Sequence, residues 1–564
     1  LLSKGCVFAA VEGWTFAVIE INMKRTICFL LLFNLISLTS YPQLLNWAYK
    51  IGGNYSDECY DLAKDDEGNI YITGGFCNSV NFNPKGKPFV LQSSDVNNSN
   101  IFVAKYDHDF NLKWAFGIGN NHWEAGLSIK TDILKSVYIS GNYRENVDFD
   151  PSPNTNVLNS VNMSYFLAKY DSNGQFQWVR DIGSDGNNYL TAPSRVGLFL
   201  DKSLNVYTYL QRNDTLRKFD YNGNSIWKRE FSGLPVSDNT TSLFSIDNCK
   251  DPFEYEYNYQ KTLIFNKIDT NGDFYFSKTV ARTFDGFIGG YISYDITGNI
   301  LLSGKFWGTV NFYGINDSLS ISNYDAITYG PLAREFITKI DTFGNVKWVK
   351  YFDNNGPSPY IIKTNSNKEI FTLGFLNFSA NFDPTGNVVL TNGGYGNYIA
   401  KYDSSFNYLA CAEFLGGSYN DFIGGFELHG DTAVICGHFF NTIDLDLTNL
   451  THFLSANPPE DIFVSQYSNF NITTNAASID ELPNPLLKVP VYPNPSNGNF
   501  CLKFDKYHEN VDIIINNLMG QEIYSQKVCS NNVDINLSSY DSGIYFLTII
   551  QGNKRMNSKL IIAK

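Results

Sequence analysis

Apolar and polar positions alternate with period two along most of the chain, and polar turns interrupt the alternation at short intervals. The stretch FLAKYDSNGQFQW at 166–178 holds two such runs around Asp171-Ser172-Asn173-Gly174. Alternation of this kind predicts half-buried strands. Asn-Gly between two such runs predicts a hairpin, because glycine accepts positive φ. Similar stretches stand at 102–114 (FVAKYDHDFNLKW) and 336–348 (FITKIDTFGNVKW), with equivalent hairpins at 215–229 and 263–278 and a looser one at 398–412. A second kind of hairpin precedes each, as at 60–76, 126–143 and 291–306. Each repeat therefore reads as a four-stranded meander.

Seven hairpins of the second kind fall between Trp47 and Phe470, about 60 residues apart, which is the period of a propeller blade built from four strands. The seventh repeat has a third strand at 461–468 and then runs into a polar segment. LLNWAYKIGG at 44–53 matches WAFGIG at 114–119 and WVRDIG at 178–183. This segment is expected to supply the missing fourth strand and close the ring, which removes two exposed edges. The recurring Trp47, Trp114, Trp178, Trp227 and Trp348 are expected to pack between neighbouring units. The pairs Thr73-Gly74, Ser140-Gly141, Ser303-Gly304 and Cys436-Gly437 are expected where blades approach closely. The lysine before the turn aspartate (105, 169, 218, 267, 339, 401) reads as a solvated hairpin residue. Over 44–470 the repeats resemble bacterial secreted β-propeller units of the form GN-x-Y-x-TG-F…F-x-AKYD-x-NG, least well in the third and fourth units. That resemblance implies a scaffold and leaves the activity open.

The connections between second and third strands are unequal. They are long at roughly 76–100, 142–164, 305–334, 375–397 and 438–460 and short in the third and fourth units, so they are expected to form a wall open on one side. They share a core: SVNFNP (79–84), NVDFDP (146–151), TVNFYG (309–314), SANFDP (379–384) and TIDLDL (442–447). Its central Phe or Leu is expected to tuck under the loop. Asp148, Asp150, Asp383, Asp444 and Asp446 are candidate oxygen ligands for Ca2+, the one cofactor the loops suggest. The competing reading is a capped turn that recurs because the repeat recurs. No G-x-S-x-G, HExxH or P-loop is found. His122-Trp123-Glu124 reads as an isolated loop trio. Acidic loop residues leave room for paired-carboxylate glycosidase chemistry.

Composition narrows the classes. Aromatic residues make up 16% of the 564 and charged residues 17%, a packed all-β balance rather than a disordered one. The net charge is −14, and Lys and Arg form no cluster, so nucleic acid is not an expected partner. Nine cysteines are scattered without a CxxC, which implies no disulfide framework. Cys411 and Cys436 fall in one repeat and are the pair most open to bridging.

The two ends carry addresses. Met23-Lys24-Arg25, the apolar run 27–33 continued by Leu35, Ile36 and Leu38, and then Ser37, Thr39 and Ser40 read as a signal peptide over 23–42. Residues 1–22 read as an upstream extension of the gene start. A polar linker is expected at 471–487, followed at 488–564 by about seven short strands in a small Ig-like β-sandwich. Three motifs stand there: Tyr492-Pro493-Asn494-Pro495 with Gly498, then Leu518-Met519-Gly520-Gln521, then Ser542-Gly543-Ile544-Tyr545-Phe546. With the terminal KLIIAK they resemble the C-terminal sorting domain of the type IX (Por) secretion system of Bacteroidetes. The resemblance implies recognition by the translocon, with Tyr492, Pro493, Asn494, Pro495, Gly498, Gly520, Gly543 and Tyr545 as the motif residues, and cleavage by a surface sortase. The fold expected is thus a seven-bladed β-propeller with a sorting sandwich. The function expected is a secreted or surface-displayed binding or adhesion scaffold for a glycan or protein, the alternative being an extracellular polysaccharide hydrolase or lyase.

Overall fold

The computed structural model describes residues 44–184, 196–211, 214–230, 234–237, 243–250, 261–269, 271–283, 286–314, 318–323, 334–352, 356–386, 388–414, 421–430, 432–447, 451–468, 491–517, 521–551 and 554–564. The expected extension and signal peptide at 1–42, the linker at 471–487 and Gly520 lie outside the described residues. The chain divides into two compact units between Ala476 and Ala477. Among the described residues the regular elements of both are strands, apart from single turns.

In the first unit the strands pair as successive antiparallel meanders. The first is Asp57–Lys64, Ile70–Phe76, Asn100–Tyr106 and Leu112–Ile118. The second runs from Ala125–Thr131 to Phe176–Ser184 and the third from Val196–Leu200 to Ser225–Glu230. The fourth (Leu234–Ser237 to Phe274–Thr283) and fifth (Gly286–Tyr294 to Val346–Tyr351) are joined where Ala281–Thr283 pairs with Val310–Phe312. The sixth runs from Ser358–Thr364 to Tyr408–Phe414. The seventh takes Phe422–His429, Thr432–Phe439 and Asp461–Ser468 from one end of the unit and Leu44–Ile51 from the other. Leu44–Ile51 runs antiparallel to Asp461–Ser468, with Ile51 opposite Ile462 and Leu45 opposite Tyr467.

Strands that look half-buried in sequence are buried on both faces when they lie mid-sheet. Ile70–Phe76 and Asn100–Tyr106 are buried throughout, whereas the outer Leu112–Ile118 alternates. Neighbouring sheets cover both faces, and one apolar core joins each meander to the next. Ala63 and Tyr71 meet Ile129 and Ile139; Leu167 meets Val196; Tyr207 meets Ile268; Leu263 meets Ile300; Leu301 meets Ile370; Phe371 meets Phe426. Ile51, Val434 and Ile462 of the seventh meander meet Cys59, Leu62 and Ile72 of the first.

The hairpin turns follow one rule. The first turn residue accepts the amides two and four residues on through its side chain, as Asp65, Asp107, Asp171, Asp220, Asp341 and Asp403 do, and Asn365 takes the same role in the sixth sheet. The fourth turn residue has positive φ, which makes a type I turn with a bulge rather than the two-residue turn that Asn-Gly suggests. Gly174 takes that position at φ 78, and a Cβ there would lie 3.0 Å from the Trp114 ring of the preceding sheet. Trp178 covers Gly223 and Trp227 covers Gly272 in the same way. Phe110 and Phe406 replace the glycine and stack instead, near Trp47 at 4.7 Å and Trp348 at 5.6 Å. Each of these tryptophans therefore locks one sheet to the next.

Three sequence expectations need correction. Five of the six repeat lysines are not solvated: Lys105, Lys169, Lys218, Lys339 and Lys401 are buried, and Lys267 is half-buried. Lys105, Lys169 and Lys218 lie over the rings of Tyr71, Tyr138 and Tyr207, and burial lowers the pKa of all three. The second-strand glycines mark close approach within a sheet. A Cβ on Gly74 would collide with the Glu58 carbonyl and one on Gly437 with the Phe422 carbonyl, beside first-strand bulges. Approach between sheets falls on Gly126 against Thr73 and Gly424 against Cys59. Finally, Cys436 faces Cys59 of the first sheet, with sulfurs 3.2 Å apart, whereas Cys411 bonds the Tyr408 hydroxyl in a different core.

The C-terminal unit has a five-stranded sheet rather than about seven short strands, because Asn499–Asn516 and Glu522–Asn536 run on across register shifts. Phe500, Leu502, Ile513, Leu547 and Leu560 are in its core.

Candidate functional site

Meander topology places the second-to-third connections at one end of the sheets, and there the chain builds short two-stranded ribbons. Ser79–Asn81 pairs with Val90–Gln92, and Thr442–Asp444 with Phe453–Ser455. In the second and sixth sheets the long strands themselves continue outward. Phe82, Phe149, Phe312, Phe382 and Leu445 are wholly buried beneath the ribbons. Third-strand hydroxyls fasten three of them: Tyr106, Tyr170 and Tyr467 donate to the carbonyls of Phe82, Phe149 and Leu445 at 2.7, 2.8 and 2.8 Å.

One side-chain oxygen staples each of four ribbons. Asp148 Oδ1 accepts the amides of Asp150 (3.1 Å) and Asn156 (2.7 Å). Asp444 Oδ1 accepts those of Asp446 (3.0 Å) and His452 (2.7 Å). Asn81 and Asn381 make the equivalent pair of bonds without a charge. Asp150 and Asp383 accept amides two residues on, from Ser152 and Thr385. The five candidate calcium aspartates thus lie on three different ribbons, and among the described residues no cation-sized cluster brings them together.

Directly opposite each staple the returning strand shows an apolar side chain to solvent. Val90 faces Asn81, Val157 faces Asp148, Val389 faces Asn381 and Phe453 faces Asp444. Their exposures are 54, 53, 47 and 56%. They belong to the sixth, seventh, first and second sheets, which are consecutive through the shared cores.

A second feature at this end is a row of buried acids where the chain enters a first strand. Asp57 accepts the amides of Gly53 (2.6 Å) and Cys77 (3.1 Å), Glu124 that of Asn120 (3.0 Å) and Asp421 that of Phe440 (2.8 Å). Burial pushes Asp57 and Glu124 up to about 8, although these amides oppose it. The rest of the expected loop trio is separate: His122 pairs with Glu145 at 3.1 Å, and Trp123 is exposed.

Where the seventh sheet meets the first, three side chains absent from the sequence reading converge. Glu58, His438 and Glu460 have ligand-capable atoms all within 4.8 Å of one another. The Tyr60 hydroxyl donates to Glu58 and the Ser56 hydroxyl to Glu460. Burial, then the Glu58 charge, raises Glu460 to about 7. Burial lowers His438, against the pull of Glu58 and the Cys59 backbone. Nothing in sequence could reveal this group, because 380 to 402 residues separate Glu58 from its two partners.

In the C-terminal unit the motif residues hold its terminal strand. Asn494 donates to the Lys559 carbonyl (2.6 Å) and accepts the Ile561 amide (2.9 Å). Tyr492 and Cys501 are opposite one another where Val491–Tyr492 joins the sheet. Ser496, just after Pro493 and Pro495, bridges Ile562. Gly498 has φ 107, and a Cβ there would lie 2.7 Å from the Ser538 backbone, so only glycine fits. Gly543 pairs with Ile562, and the Tyr545 hydroxyl donates to the Asp541 carbonyl at 2.9 Å.

Comparison with known proteins bears on both units. An uncharacterized WD repeat-containing protein, L264 of Acanthamoeba polyphaga mimivirus, is 23% identical over 459 residues, 63% of this chain and 32% of that one. Ulvan lyase NLR42 of Nonlabens ulvanivorans is 30% identical over 128 residues, 22% of this chain and 23% of the lyase. The chain thus spans about a third or less of the curated relatives it matches. Among solved structures, virginiamycin B lyase from Staphylococcus aureus aligns at TM-score 0.37 and 11% identity over 74% of this chain and 99% of that one. Residues 490–563 match the family described as the secretion system C-terminal sorting domain. No helix among the described residues is long and apolar enough to cross a membrane. The C-terminal unit is therefore a Por-type secretion sorting domain, which marks the chain for the secretion machinery and for a place at the cell surface or outside it.

Proposed function

We propose that residues 44–470 form a seven-bladed β-propeller, closed by Leu44–Ile51, that acts as an exported binding or adhesion scaffold. The translocon of the type IX system recognises the sorting domain at 488–564, and a sortase removes it. The blade count is supported by the succession of meanders and by the core that joins the seventh to the first. The observation that carries the binding role is the arc of Val90, Val157, Val389 and Phe453. Four consecutive sheets expose an apolar side chain at one register, on ribbons whose undersides are fully packed. Single exposed apolar residues are ordinary, but a repeated row on one face marks a contact surface. Its occupant is a glycan or protein surface that presents apolar faces. Replacing all four with serine tests this on a glycan array and on whole cells: binding should fall at least tenfold while the melting temperature holds. Unchanged binding by the folded variant would remove the role.

A second reading, an extracellular polysaccharide hydrolase or lyase, takes its support from the partial likeness to ulvan lyase and from the acids at the ribbon end. Release of reducing or unsaturated sugar ends from algal and bacterial polysaccharides would favour it over the scaffold.

A further inference from the structure

We propose that Glu58, His438 and Glu460 bind one divalent transition-metal ion, of which zinc is the representative, and that the ion bolts the seventh sheet to the first. Glu58 lies in Asp57–Lys64 of the first sheet, His438 in Thr432–Phe439 of the seventh, and Glu460 just before Asp461–Ser468. A ligand shared by these groups therefore spans the junction that Leu44–Ile51 completes.

The donor set defines the ion. One imidazole and two carboxylates suit zinc and its neighbours, whereas calcium takes oxygen ligands alone. Tetrahedral zinc with bonds of about 2.0–2.2 Å holds its ligands roughly 3.3 Å apart. The present separations, up to 4.8 Å, close to that by rotation of the two glutamate side chains. The Tyr60 hydroxyl orients Glu58 and the Ser56 hydroxyl orients Glu460, and the two carboxyls also hydrogen-bond each other, a shared proton that a bound ion would displace.

His438 supplies the independent observation. It is only 7% exposed, and its Nδ1 makes no hydrogen bond. Its Nε2 points at Glu460 Oε2 from 4.0 Å, beyond hydrogen-bonding distance. The rings of Phe422 and Tyr60 hold the imidazole at 5.5 and 5.9 Å. The ring does bond the Cys59 backbone, but a buried ring nitrogen left without a partner is costly unless something meets it. No Lys or Arg ion-pairs with Glu58 or Glu460 among the described residues; Lys50, the cation in this region, is engaged with Asp461 at 2.9 Å. Asp57, Asp421 and Asp461 stand around the group, so its acids are held neutral by burial and by one another unless a cation is bound between them.

The test uses the full chain without a histidine tag, stripped with EDTA and dialysed against zinc, then against calcium. Zinc should bind at about one equivalent and raise the melting temperature by several degrees, with calcium inactive. His438→Gln and Glu460→Gln should each weaken zinc binding roughly tenfold or more. His122→Gln, a change at the separate Glu145 pair, should leave it intact. Cobalt as a substitute should give the visible d–d bands of an imidazole-ligated ion. Should His438→Gln fail to fold, Glu58→Gln replaces it. Zinc uptake below a fifth of an equivalent, or uptake undiminished in the folded variants, overturns the proposal, as does a calcium response that matches or exceeds that of zinc.

Discussion

Carboxylates do opposite work at the two ends of the sheets. At the hairpin end, burial would raise Asp107 and Asp295, but the bonds they accept outweigh it. Lys113 and Asn111 bring Asp107 to about 2, and Lys339, Asn299 and Thr297 do the same for Asp295. At the ribbon end, Asp57 and Glu124 also accept amides, yet burial wins and both rise to about 8. The difference is in what surrounds the charge. A turn aspartate meets amides, an asparagine amide and often a lysine, all within five residues or across one strand. A strand-entry acid faces other acids or the neighbouring chain, so its charge is held at a cost. Turn carboxylates stabilise the fold as anions, whereas strand-entry carboxylates fit it best when neutral or when matched by a cation.

The most severe way to break this contrast is to remove the frame that both ends share. Deleting Leu44–Ile51 uncovers the edge of Asp461–Ser468, withdraws Lys50 from Asp461 and strips Trp47 from Phe110. The expected loss is comparable to the whole folding free energy of a domain, about 5–15 kcal/mol. The deletion variant should show no cooperative melting by circular dichroism and should aggregate on a sizing column. A variant that melts like the full chain would mean the first unit does not depend on this strand.

Next in size is Asp295→Ala. It leaves Lys339 buried without its 2.6 Å partner and leaves the amides of Thr297 and Asn299 unbonded. Stranding a buried charge costs about 3–5 kcal/mol, readable as a shifted urea midpoint. Asp295→Asn should recover the turn but not the ion pair, since Asn365 serves as first turn residue in the sixth sheet. The pH dependence has a definite sign. Asp295 is depressed below its ordinary 3.8, so its contribution is complete above that value and disappears as pH falls toward about 2. The alanine variant should lack this acid limb.

The hairpin end was far more legible in sequence than the ribbon end. Period-two runs and Asp-x-x-Gly-Asn turns are local, so strand positions and turns could be read from consecutive residues. Phe110, Lys135, Leu204, Lys368 and Phe406 hid left-handed positions that glycine marks elsewhere, because the turn's hydrogen bonds hold the backbone there whatever the side chain. The buried lysines could not be read, since their partners Tyr71, Tyr138 and Tyr207 sit on an adjacent strand whose register is set by the fold. The five aspartates read both as candidate ligands and as capped turns, because acidic residues recur with the loop, and the neutral Asn81 and Asn381 in the same pattern favour the turn. Glu58, His438 and Glu460 meet only because the seventh sheet packs against the first.

A milder change sharpens the contrast from the other side. Glu124 is wholly buried, and its pKa is raised from 4.5 to about 8. The folded chain therefore keeps a proton that the unfolded chain gives up, and stability falls as pH climbs between those values, by no more than about 1.4 kcal/mol per unit. Glu124→Gln keeps the shape without the charge. The variant should match the parent near pH 4.5 and exceed it by one to a few kcal/mol at pH 8, in urea titrations at both ends of the window. A parent whose stability is level across that range would place Glu124 with the turn carboxylates.

The smallest expected effect is the most informative about the ribbons. Asp148→Asn retains an oxygen for the Asp150 and Asn156 amides, the bonds Asn81 and Asn381 make on their own ribbons with no charge. Stability should change by less than about 0.5 kcal/mol, the ordinary range for a surface substitution, and calcium should neither raise the melting temperature nor release heat in either protein. Asp148→Ala supplies the contrast, since losing both bonds should cost about 1–2 kcal/mol. If Asp148→Asn instead removed a calcium response present in the parent, the charge itself would be in use. Asp148 would then be a ligand, and its carboxylate would belong with the strand-entry acids that await a cation. A silent asparagine beside a costly alanine means that geometry selects the residue at the staple.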